Sequence, residues 1–339
     1  KLRRYEVAEF SSKKKEGNRA YKLTIFLLRV YDKSEDKRIY TKKQEKEDRS
    51  MIQDIAPKKF YNQFAAKKPS ANSRILSFSD GKILYKEKDG EMEFLTFKQV
   101  EAHFIQEKEK SELPVYTYLF SIDREDFFLM DLQNEIFEDF SYHKMFETRR
   151  MHPKEYVLAA ATGWHLYVWY RDNQFCGRCA KKLVHDEHLR MMKCPSCGNM
   201  VFPKIAPAVI VGVTNGDKIL MTKYAGREYK KYALIAGFTE IGETAEQTVE
   251  REVMEEVGLH VKNIRYYKSQ PWGYDSNLLL GYFCDLAQEE EIHLDQTELS
   301  LAEWVDYRDV PDDPEGLSLT REMMITFREQ KKREHSQRS

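Results

Sequence analysis

Three glutamates stand at helical spacing in the second half of the 339-residue chain. Glu252, Glu255 and Glu256 occupy positions i, i+3 and i+4, so a helix places their carboxylates on one face. Three neighbouring negative charges repel one another unless a cation lies among them. Carboxylate oxygens suit the hard cations Mg2+ and Mn2+, which bridge to phosphate oxygens and orient a water molecule. The spacing therefore predicts a metal site for hydrolysis of a diphosphate.

The segment that carries these glutamates has the signals of a complete helix. Thr244 is suited to the N-cap, Gln247 three residues later closes a capping box, and Gly258 follows the last turn as a C-cap. An apolar residue recurs every four positions on the other side, which predicts the face that packs against a sheet. These apolar residues are Ala245, Val249, Val253 and Val257.

The glutamates fall within a longer pattern, G-x5-E-x7-R-E-U-x-E-E-x-G-U, in which U is aliphatic. Residues 237–259 fill every fixed position of this pattern, which is the Nudix box. A solvated acidic helix face explains most runs of glutamate, but it leaves Gly237, Gly242 and Glu243 at the required offsets unexplained. We expect Arg251 to pair with Glu243 and hold the loop on the helix, because guanidinium and carboxylate groups form two parallel hydrogen bonds.

Two C-x-x-C pairs separated by fourteen residues form the second pattern. Four thiolates at this spacing can close tetrahedrally on Zn2+, which leaves no open coordination position and makes the zinc structural. Two disulfides or a redox-active pair are the alternatives, but a redox motif is not expected twice, and without a signal-peptide pattern we expect a reducing, cytoplasmic setting. The fifth cysteine, Cys284, lies in an apolar run and is expected in the core. The predicted zinc ligands are Cys176, Cys179, Cys194 and Cys197.

The third motif is Ser269-Gln-Pro-Trp272, which precedes a strongly apolar segment. A Pro-Trp pair in a loop between strands offers a rigid turn and a flat aromatic surface for a nucleotide. Together with the cysteine pairs and the box, this motif resembles the NADH pyrophosphatase (NudC-like) family of Nudix hydrolases, whose signature after the box reads S-Q-P-W-P-F-P-x-S. The resemblance extends over roughly residues 146–325.

The resemblance implies hydrolysis of the diphosphate of NADH or NAD+ to nicotinamide mononucleotide and AMP. RNA ends capped with NAD present the same diphosphate and are a further implied substrate. Members of this family are commonly homodimers, so a homodimer is implied here as well.

After Trp272 the chain departs from the family signature. It reads Gly273-Tyr-Asp-Ser-Asn277 where the family has P-F-P-x-S, so the loop loses two prolines and gains a carboxylate. Tyr274 keeps aromatic character and can stack, whereas the preference between NADH and related dinucleotides is less constrained. The substrate-binding positions implied by the signature are Gln270, Pro271, Trp272, Gly273, Tyr274, Asp275, Ser276 and Asn277.

Further site positions are implied one at a time by the resemblance. The main-chain carbonyl of Ala236 and the side chain of Glu298 join Glu252, Glu255 and Glu256 as metal ligands. Phe238 and Phe202 sandwich the nicotinamide, with an ordinary place in the core as the alternative for both. Thr320 stands at a position near the adenosine. The implied catalytic set consists of Glu243, Arg251, Glu252, Glu255, Glu256 and Glu298.

Two residues outside the box complete the comparison with the family pattern. Leu189 replaces a glutamate that usually precedes Arg-Met in the ribbon, so that contact is missing. Arg149 is a candidate for a phosphate contact from the segment before the ribbon. A solvated surface arginine is the alternative.

Composition limits the remaining possibilities. Hydrophobic residues make up 41% of the chain, which supports two or three packed units. The net charge of -1 argues against a strong general affinity for nucleic acid. No run approaches the roughly 18 apolar residues of a transmembrane helix, so no membrane partner is expected.

Residues 1–50 contain sixteen Lys or Arg and nine Asp or Glu, which predicts a disordered or non-native leader. Residues 46–48 can be encoded by a ribosome-binding sequence, so translation is expected to start at Met51.

Local patterns predict the elements that position these motifs. Asp80-Gly81 and Asp89-Gly90 predict the turns of a β-meander over residues 74–96. The other predicted elements are a helix at 97–104, strands at 115–122 and 126–130, a helix at 153–171, strands at 206–213 and 218–222, the box helix, a strand at 277–284 and a helix at about 318–332.

These elements and the resemblance predict an α+β chain. It consists of a Nudix α/β/α sandwich preceded by a zinc ribbon and a small α/β N-terminal domain. The predicted units are the leader 1–50, the N-terminal domain 51–145, a helix plus zinc ribbon 146–203, the Nudix domain 204–332 and a charged tail 333–339.

Two functional hypotheses of different classes remain open. The first is a metal-dependent NAD(H) diphosphatase, for which ADP-ribose or another nucleoside diphosphate is the alternative substrate. The second is a zinc-ribbon protein whose Nudix domain senses a nucleotide without turnover. Intact Glu252, Glu255, Glu256 and Glu298 favour catalysis, since a sensor would be free to lose them.

Overall fold

The computed structural model describes residues 51–106, 112–226, 231–312 and 317–337. The interpretation of residues 1–50 as a leader lies outside these ranges.

The helices lie close to their predicted positions. They are α1 Phe97–Gln106, α2 Lys154–Asp172, α3 Ala245–Val257 and α4 Leu319–Ser336. Within the described ranges, no helix combines the length and the apolar character needed to cross a membrane.

Short strands make up the first part of the chain and the ribbon, and long strands follow. The strands are β1 Phe60–Tyr61, β2 Arg74–Leu76, β3 Phe78–Ser79, β4 Lys82–Lys88, β5 Glu91–Glu93, β6 Leu95–Thr96, β7 Tyr116–Ile122, β8 Glu125–Met130, β9 Ser141–Lys144, β10 Val184–His185, β11 Met192–Lys193, β12 Met200–Val201, β13 Ala206–Asn215, β14 Lys218–Tyr224, β15 Ile235–Phe238, β16 Val261–Trp272, β17 Asn277–Leu286 and β18 Leu299–Asp306.

The N-terminal part contains two small sheets rather than one meander. The turns at residues 80–81 and 89–90 join β3 to β4 and β4 to β5, as predicted. The prediction of a single meander over 74–96 is wrong, because β2 pairs in parallel with β8 and antiparallel with β6 in a separate five-stranded sheet. The partner β8 is distant in sequence, so no local pattern could indicate this pairing.

The second half of the chain forms an α/β/α sandwich around a six-stranded sheet. Its order is β16-β17-β13-β14-β18, and β15 pairs with β13. Successive side chains of the central strand β13 point to opposite faces. Val209, Val211 and Val213 pack with the valine stripe of α3, whereas Ala208 and Ile210 pack with α4. The α+β fold and the core position of Cys284, which is fully buried, are therefore confirmed.

The strand β16 was not predicted from the sequence. It is twelve residues long, and its pairing with β17 shifts register at two places, between Lys262 and Arg265 and between Tyr266 and Lys268. Each shift interrupts the alternation of inward and outward side chains. The period-two pattern that identifies a strand is therefore absent from its sequence.

The last helix extends beyond the predicted end near residue 332. It continues to Ser336 because its final turn has tertiary partners. His335 Nε2 lies 2.9 Å from Asp217 Oδ2, and the imidazole stacks on Tyr307 with ring centroids 5.2 Å apart. The first part of the expected charged tail is thus helical.

The loop after β16 docks on the helix before the ribbon. Gly273 is buried, and a Cβ atom added there would lie 2.2 Å from the main-chain oxygen of Ala161 in α2. Only a residue without a side chain permits this approach. The signature loop is therefore positioned by the part of the chain that precedes the Nudix domain.

Replacing Gly273 with alanine tests this docking. The added methyl group meets main-chain atoms that cannot rotate away, so we expect Gly273→Ala to reduce the free energy of unfolding by about 1–3 kcal/mol. Urea denaturation provides the measurement. The control is Gly177→Ala, whose added methyl group has no neighbour within 4 Å and should change stability by less than about 0.5 kcal/mol. Equal stability of the two variants would contradict the docking.

Candidate active site and cysteine cluster

The predicted caps fix both ends of α3. Thr244 Oγ1 accepts from the main-chain nitrogen of Gln247 at 3.2 Å, and Gln247 Oε1 accepts from the main-chain nitrogen of Thr244 at 2.8 Å. Gly258 adopts the left-handed conformation with φ of 67° as the C-cap. The three valines of the predicted apolar stripe are fully buried. The helix boundaries and its packing face are confirmed.

Arg251 joins the loop, the sheet and the helix. Its Nε and Nη2 atoms donate to the two carboxylate oxygens of Glu243 at 2.6 and 3.0 Å, so the predicted two-pronged pair is confirmed. The Nη2 atom also donates to the main-chain oxygen of Phe238 at 2.9 Å. Hydrogen bonds from Arg251 lower the pKa of Glu243 to about 2, since they favour the charged carboxylate. The loop carboxylate therefore stays ionised at neutral pH.

The same guanidinium group bridges two of the three box glutamates. Its Nη1 atom lies 2.8 Å from Glu252 Oε1 and 2.8 Å from Glu255 Oε2. In this structure, a cation that stands among the repelling carboxylates is thus a side chain of the box itself. The sequence predicted the pair with Glu243 but missed this second role of Arg251.

The glutamates differ strongly in burial. Glu252 and Glu256 are 9% and 2% exposed, whereas Glu255 and Glu298 are exposed. Burial raises the pKa of Glu252, with hydrogen bonds from Arg251 acting in the opposite direction and the negative charge of Glu298 adding to the rise. Glu298 therefore lies close enough to interact with Glu252. Two carboxylates face inward, and two lie at the surface beside them.

Gly237 leaves room for the Glu252 carboxylate. A Cβ atom added at Gly237 would lie 1.9 Å from the carboxyl carbon of Glu252. The strand β15 thus passes directly against the side chain of Glu252. Ala236 comes directly before Gly237 in this strand. A carboxylate held against bare main chain explains why the pattern requires glycine at this position.

Pro271 and Trp272 belong to a strand rather than to a loop. They pair with Leu278 and Asn277 at the end of β16, so the expectation of a loop at the Pro-Trp pair is wrong. The register of β17, which is set by the buried strand β13, extends the ladder through these two residues. The turn is correspondingly short and consists of Gly273–Asp275 followed by Ser276, which has φ of 59°.

Gln270 does not face the site. It is fully buried, its Nε2 atom donates to the main-chain oxygen of Leu317 at 2.8 Å, and its Oε1 atom accepts from the main-chain nitrogen of Leu319 at 2.8 Å. Both ends of the amide are therefore occupied at the start of α4. Gln270 fixes this helix, which includes Thr320 in its first turn, and is not available for direct contact with a substrate.

Arg149 lies against Trp272. Its guanidinium carbon is 5.2 Å from the indole centroid and 4.6 Å from the ring centroid of Phe146. The indole nitrogen of Trp272 donates to Asp275 Oδ2 at 3.0 Å. Asp275, which is the carboxylate that this chain has in place of a signature residue of the family, thus holds the tryptophan ring. Because Arg149 packs on the same ring, it is not an ordinary solvated arginine.

Tyr274 is anchored in the N-terminal half of the molecule. Its hydroxyl group lies 2.9 Å from Thr148 Oγ1, and its main-chain oxygen accepts from Trp164 Nε1 at 3.3 Å. Burial raises the pKa of Tyr274 to about 12. Its ring lies 5.0 Å from that of Trp272 at an angle of 56°. No local pattern indicates the roles of Thr148 and Trp164, because both are more than a hundred residues away from Tyr274.

The remaining predicted positions lie apart from this anchor. Phe202 and Phe238 are both exposed, which rules out the core alternative, and no ring contact joins them within the described ranges. Asn277 is buried at the start of β17, and its Oδ1 atom has no hydrogen-bond partner among the described residues. Leu189, where the family has glutamate, is exposed.

The four ribbon cysteines converge. Their sulfur atoms all lie within 4.8 Å of one another, with 3.6 Å between Cys176 and Cys197 and 3.5 Å from Cys179 to each of Cys194 and Cys197. A tetrahedral ion with bonds of about 2.3 Å separates its sulfur ligands by about 3.8 Å. The cluster therefore fits zinc. In the part of the chain that the structure describes, no other group of three such side chains brings its ligand atoms this close.

Comparison with known proteins gives matches over the second half of the chain. The NUDIX domain family matches residues 204–326, and the NADH pyrophosphatase zinc ribbon domain family matches residues 171–202.

Several relatives named "NAD-capped RNA hydrolase NudC" are similar to this chain. The protein of Klebsiella pneumoniae subsp. pneumoniae is 40% identical over 152 residues, which cover 45% of this chain and 59% of that protein. The protein of Pectobacterium atrosepticum is 36% identical over 165 residues, 49% of this chain and 63% of its own. The protein of Haemophilus influenzae is 33% identical over 188 residues, 54% of this chain and 70% of its own. The first two matches span less than two thirds of the relative.

The contact between Gly237 and Glu252 can be tested with a rescue variant. Gly237→Ala places a methyl group on the carboxylate, so we expect the free energy of unfolding to fall by about 1–3 kcal/mol. Shortening the side chain in the double variant Gly237→Ala/Glu252→Asp should restore part of this loss, measured by urea denaturation. Purely additive effects of the two substitutions would show that the groups do not meet.

Proposed function

This chain belongs to the NADH pyrophosphatase (NudC-like) family of Nudix hydrolases, and from that membership we propose that it hydrolyses the diphosphate of NADH or NAD+ to nicotinamide mononucleotide and AMP. The observation that carries the proposal is the inward-facing pair Glu252 and Glu256 on α3, of which Glu252 accepts a hydrogen bond from Arg251. Two buried carboxylates on one helix are costly to keep charged without a nearby cation. A diphosphate substrate brings such cations with it.

The proposed divalent-metal ligands are hard oxygen donors on three elements. Glu252, Glu255 and Glu256 come from α3, the main-chain carbonyl of Ala236 comes from β15, and Glu298 precedes β18. Bound Mg2+ or Mn2+ supplies charge neutralisation at the diphosphate and a water molecule of lowered pKa. Burial raises the pKa of Glu252, and a bound cation would favour its charged form.

Arg251 has a positioning role in this proposal. It keeps Glu243 and the loop after β15 on α3, and its bonds to Glu252 and Glu255 hold both carboxylates in place. Glu252 and Glu255 would hold a bound Mg2+ or Mn2+, which would neutralise their charge. Arg251 would keep its two-pronged pair with Glu243 and so hold the loop on α3.

The proposed substrate contacts use the exposed aromatic rings and the signature turn. Phe202 and Phe238 are exposed rings that can take the nicotinamide from either side. Arg149 is proposed to contact a phosphate, since its buried Nε atom has no hydrogen-bond partner among the described residues. Pro271 to Asn277 are proposed as substrate-binding positions, with Thr320 near the adenosine, and Gln270 acts only through α4.

NAD-capped RNA is a second proposed substrate, because it presents the same diphosphate and the similar proteins are named for its hydrolysis. ADP-ribose or another nucleoside diphosphate is the alternative. The altered turn after Trp272 supports keeping this alternative, since the two signature prolines are absent. A nucleotide sensor without turnover is the remaining alternative, and the retained glutamates argue against it.

Zinc is proposed as the structural metal of the ribbon. The sulfur separations fit a tetrahedral ion, and hydrogen bonds from main-chain nitrogens support thiolates. The nitrogen of Arg178 lies 3.4 Å from Cys176 Sγ, and that of Cys197 lies 3.5 Å from Cys194 Sγ. Four thiolates fill the coordination shell, so the ion takes no part in hydrolysis.

A homodimer and a cytoplasmic location complete the proposal. Ile205, Phe238 and Ile241 are exposed apolar side chains around the proposed site, as expected where a second copy covers the surface. None of the five cysteines forms a disulfide, which fits the reducing cytoplasm.

Product analysis with matched glutamine variants tests the activity. Glu252→Gln and Glu256→Gln each remove a proposed metal ligand, so we expect turnover of NADH to fall by about 100-fold or more. The control, Glu250→Gln, changes an exposed glutamate of the same helix and should keep the rate. Chromatography should find nicotinamide mononucleotide and AMP.

Two results would contradict the activity proposal. Near-normal turnover in either glutamine variant would remove the catalytic assignment. Turnover of ADP-ribose with none of NADH would favour the alternative substrate.

Metal analysis tests the ribbon proposal. One zinc ion per chain should co-purify, and Cys176→Ser should lose it and lower the melting temperature, because structural zinc binding contributes directly to folding. Cys284→Ala is the matched control, since this cysteine lies in the sheet core and should leave the zinc content at one. Zinc-free protein with four freely titratable ribbon thiols would contradict the assignment.

A further inference from the structure

The ribbon sheet has one face that is open to solvent. Phe175 forms a bridge with Lys182, Val184 pairs with Lys193, and Lys193 pairs with Met200. Residues that pair across strands point to the same side, as do residues two apart along one strand. The register therefore places on one side of the sheet a row that we term the ribbon face: Phe175, Lys182, Val184, Lys193 and Met200.

Burial agrees with this register. All five residues of the ribbon face are exposed, and Phe175 is 63% exposed. The opposite side of the same sheet is closed, because Leu183 and Met192 are buried and pack with Trp169 of α2. The ribbon thus exposes an aromatic ring, two aliphatic side chains and two lysines that do not belong to its core.

The charge of the ribbon is positive although the whole chain carries a net charge of -1. Residues 171–202 contain six Lys or Arg and three Asp or Glu, and the ribbon face includes two lysines and no acid. Within the described ranges, the ammonium groups of Lys182 and Lys193 form no side-chain hydrogen bond or salt bridge, and Lys193 acts on Asp186 only through its charge, which helps to lower the pKa of that carboxyl group. Asp186 is engaged locally, where it accepts from the main-chain nitrogens of His188 and Leu189 at 2.9 Å.

We propose that the ribbon face binds single-stranded RNA, with the two lysines on phosphates and a base stacked on Phe175. Stacking on an exposed aromatic ring beside basic side chains is the usual way to hold a single strand without sequence preference. Lys193 stands between Val184 and Met200, and lysine is depleted from protein interfaces because its ammonium group must be desolvated there. A polyanion therefore suits this face better than a second copy of the chain.

This inference rests on the proposed function only for the source of the RNA. A capped transcript extends beyond the diphosphate that the enzyme splits, so a surface outside the site has something to bind. Free NADH or NAD+ is too small to use it. The ribbon face would thus separate capped RNA from free dinucleotide by affinity and leave the hydrolytic step unchanged.

Fluorescence anisotropy with a labelled single-stranded RNA that has a 5′ hydroxyl end tests the binding without hydrolysis. Phe175→Ala should weaken binding by about 10-fold, and Phe175→Tyr, which retains a ring, should preserve it. In Lys182→Gln/Lys193→Gln, the slope of log K against log salt should fall in magnitude by about 1.4, since each phosphate of a single strand contributes about 0.7. Lys82→Gln/Lys88→Gln removes two exposed lysines elsewhere and is the charge-matched control.

Each outcome bears on a separate statement. If Lys182→Gln/Lys193→Gln binds the RNA with the affinity and the salt dependence of the wild type, the proposal of an RNA-binding surface is overturned, even if NADH is hydrolysed normally. A shift from dimer to monomer in Phe175→Ala, seen by sedimentation, would assign the face to a second copy and also overturn it. RNA binding with the expected dependence but without turnover of NADH would refute the proposed activity and leave the ribbon face in place.

Discussion

The guanidinium group of Arg251 is the contact on which the arrangement of the site depends. One side chain donates to the loop carboxylate Glu243, to the main chain of Phe238 and to two helix carboxylates. Without it, the charges of α3 would repel one another, and Glu243 would be left with the 3.1 Å hydrogen bond from Thr248 Oγ1 as its link to α3. The box pattern therefore specifies a charge arrangement as well as a set of ligands. The glycine at 237 serves the same arrangement by leaving room for the Glu252 carboxylate.

The signature turn shows how the chain compensates for a changed sequence. Two prolines that stiffen the turn in the family are absent here, and tertiary contacts take their place. Gly273 packs on the main chain of α2, Tyr274 reaches Thr148, and Asp275 holds the indole of Trp272. Rigidity that proline supplies through a fixed φ angle is supplied here by hydrogen bonds to a neighbouring unit. The position of the turn consequently depends on the segment before the ribbon, which includes Arg149 and Phe146.

The ribbon connects this segment to the Nudix sheet and is built with two unlike faces. Its inner side packs with Trp169 around the cysteines, and its outer side exposes Phe175 and the lysines. Arg190 adds a further attachment, because its guanidinium group donates to Asn62 Oδ1 at 2.7 Å and to the main-chain oxygen of Leu119. The cysteines and Trp169 form the small core under this sheet, and the sheet in turn presents a surface that the site does not use.

The sequence by itself determined the features that depend on short-range spacing. The ends of α3, the valine stripe, the pair Arg251–Glu243, the cysteine cluster and the turns at 80–81 and 89–90 all follow from residues within a few turns or a short loop of one another. The layers of the sandwich followed as well, because alternation and helical periodicity indicate which face is buried.

Only the tertiary structure decided the roles that depend on distant partners. The motif predicts that Gln270 contacts the substrate, but its side chain is hydrogen-bonded to the main chain of Leu317 and Leu319. Pro271 and Trp272 read as a loop, yet β17 extends the ladder through them. The sequence leaves Arg149 as either a phosphate contact or a solvated surface arginine, and its packing on Trp272 is seen only in the structure. Contacts between distant residues, such as those 47 positions apart for Gln270 and Leu317, leave no trace in local periodicity. The sequence therefore specified the chemistry of these side chains but not the direction in which they act.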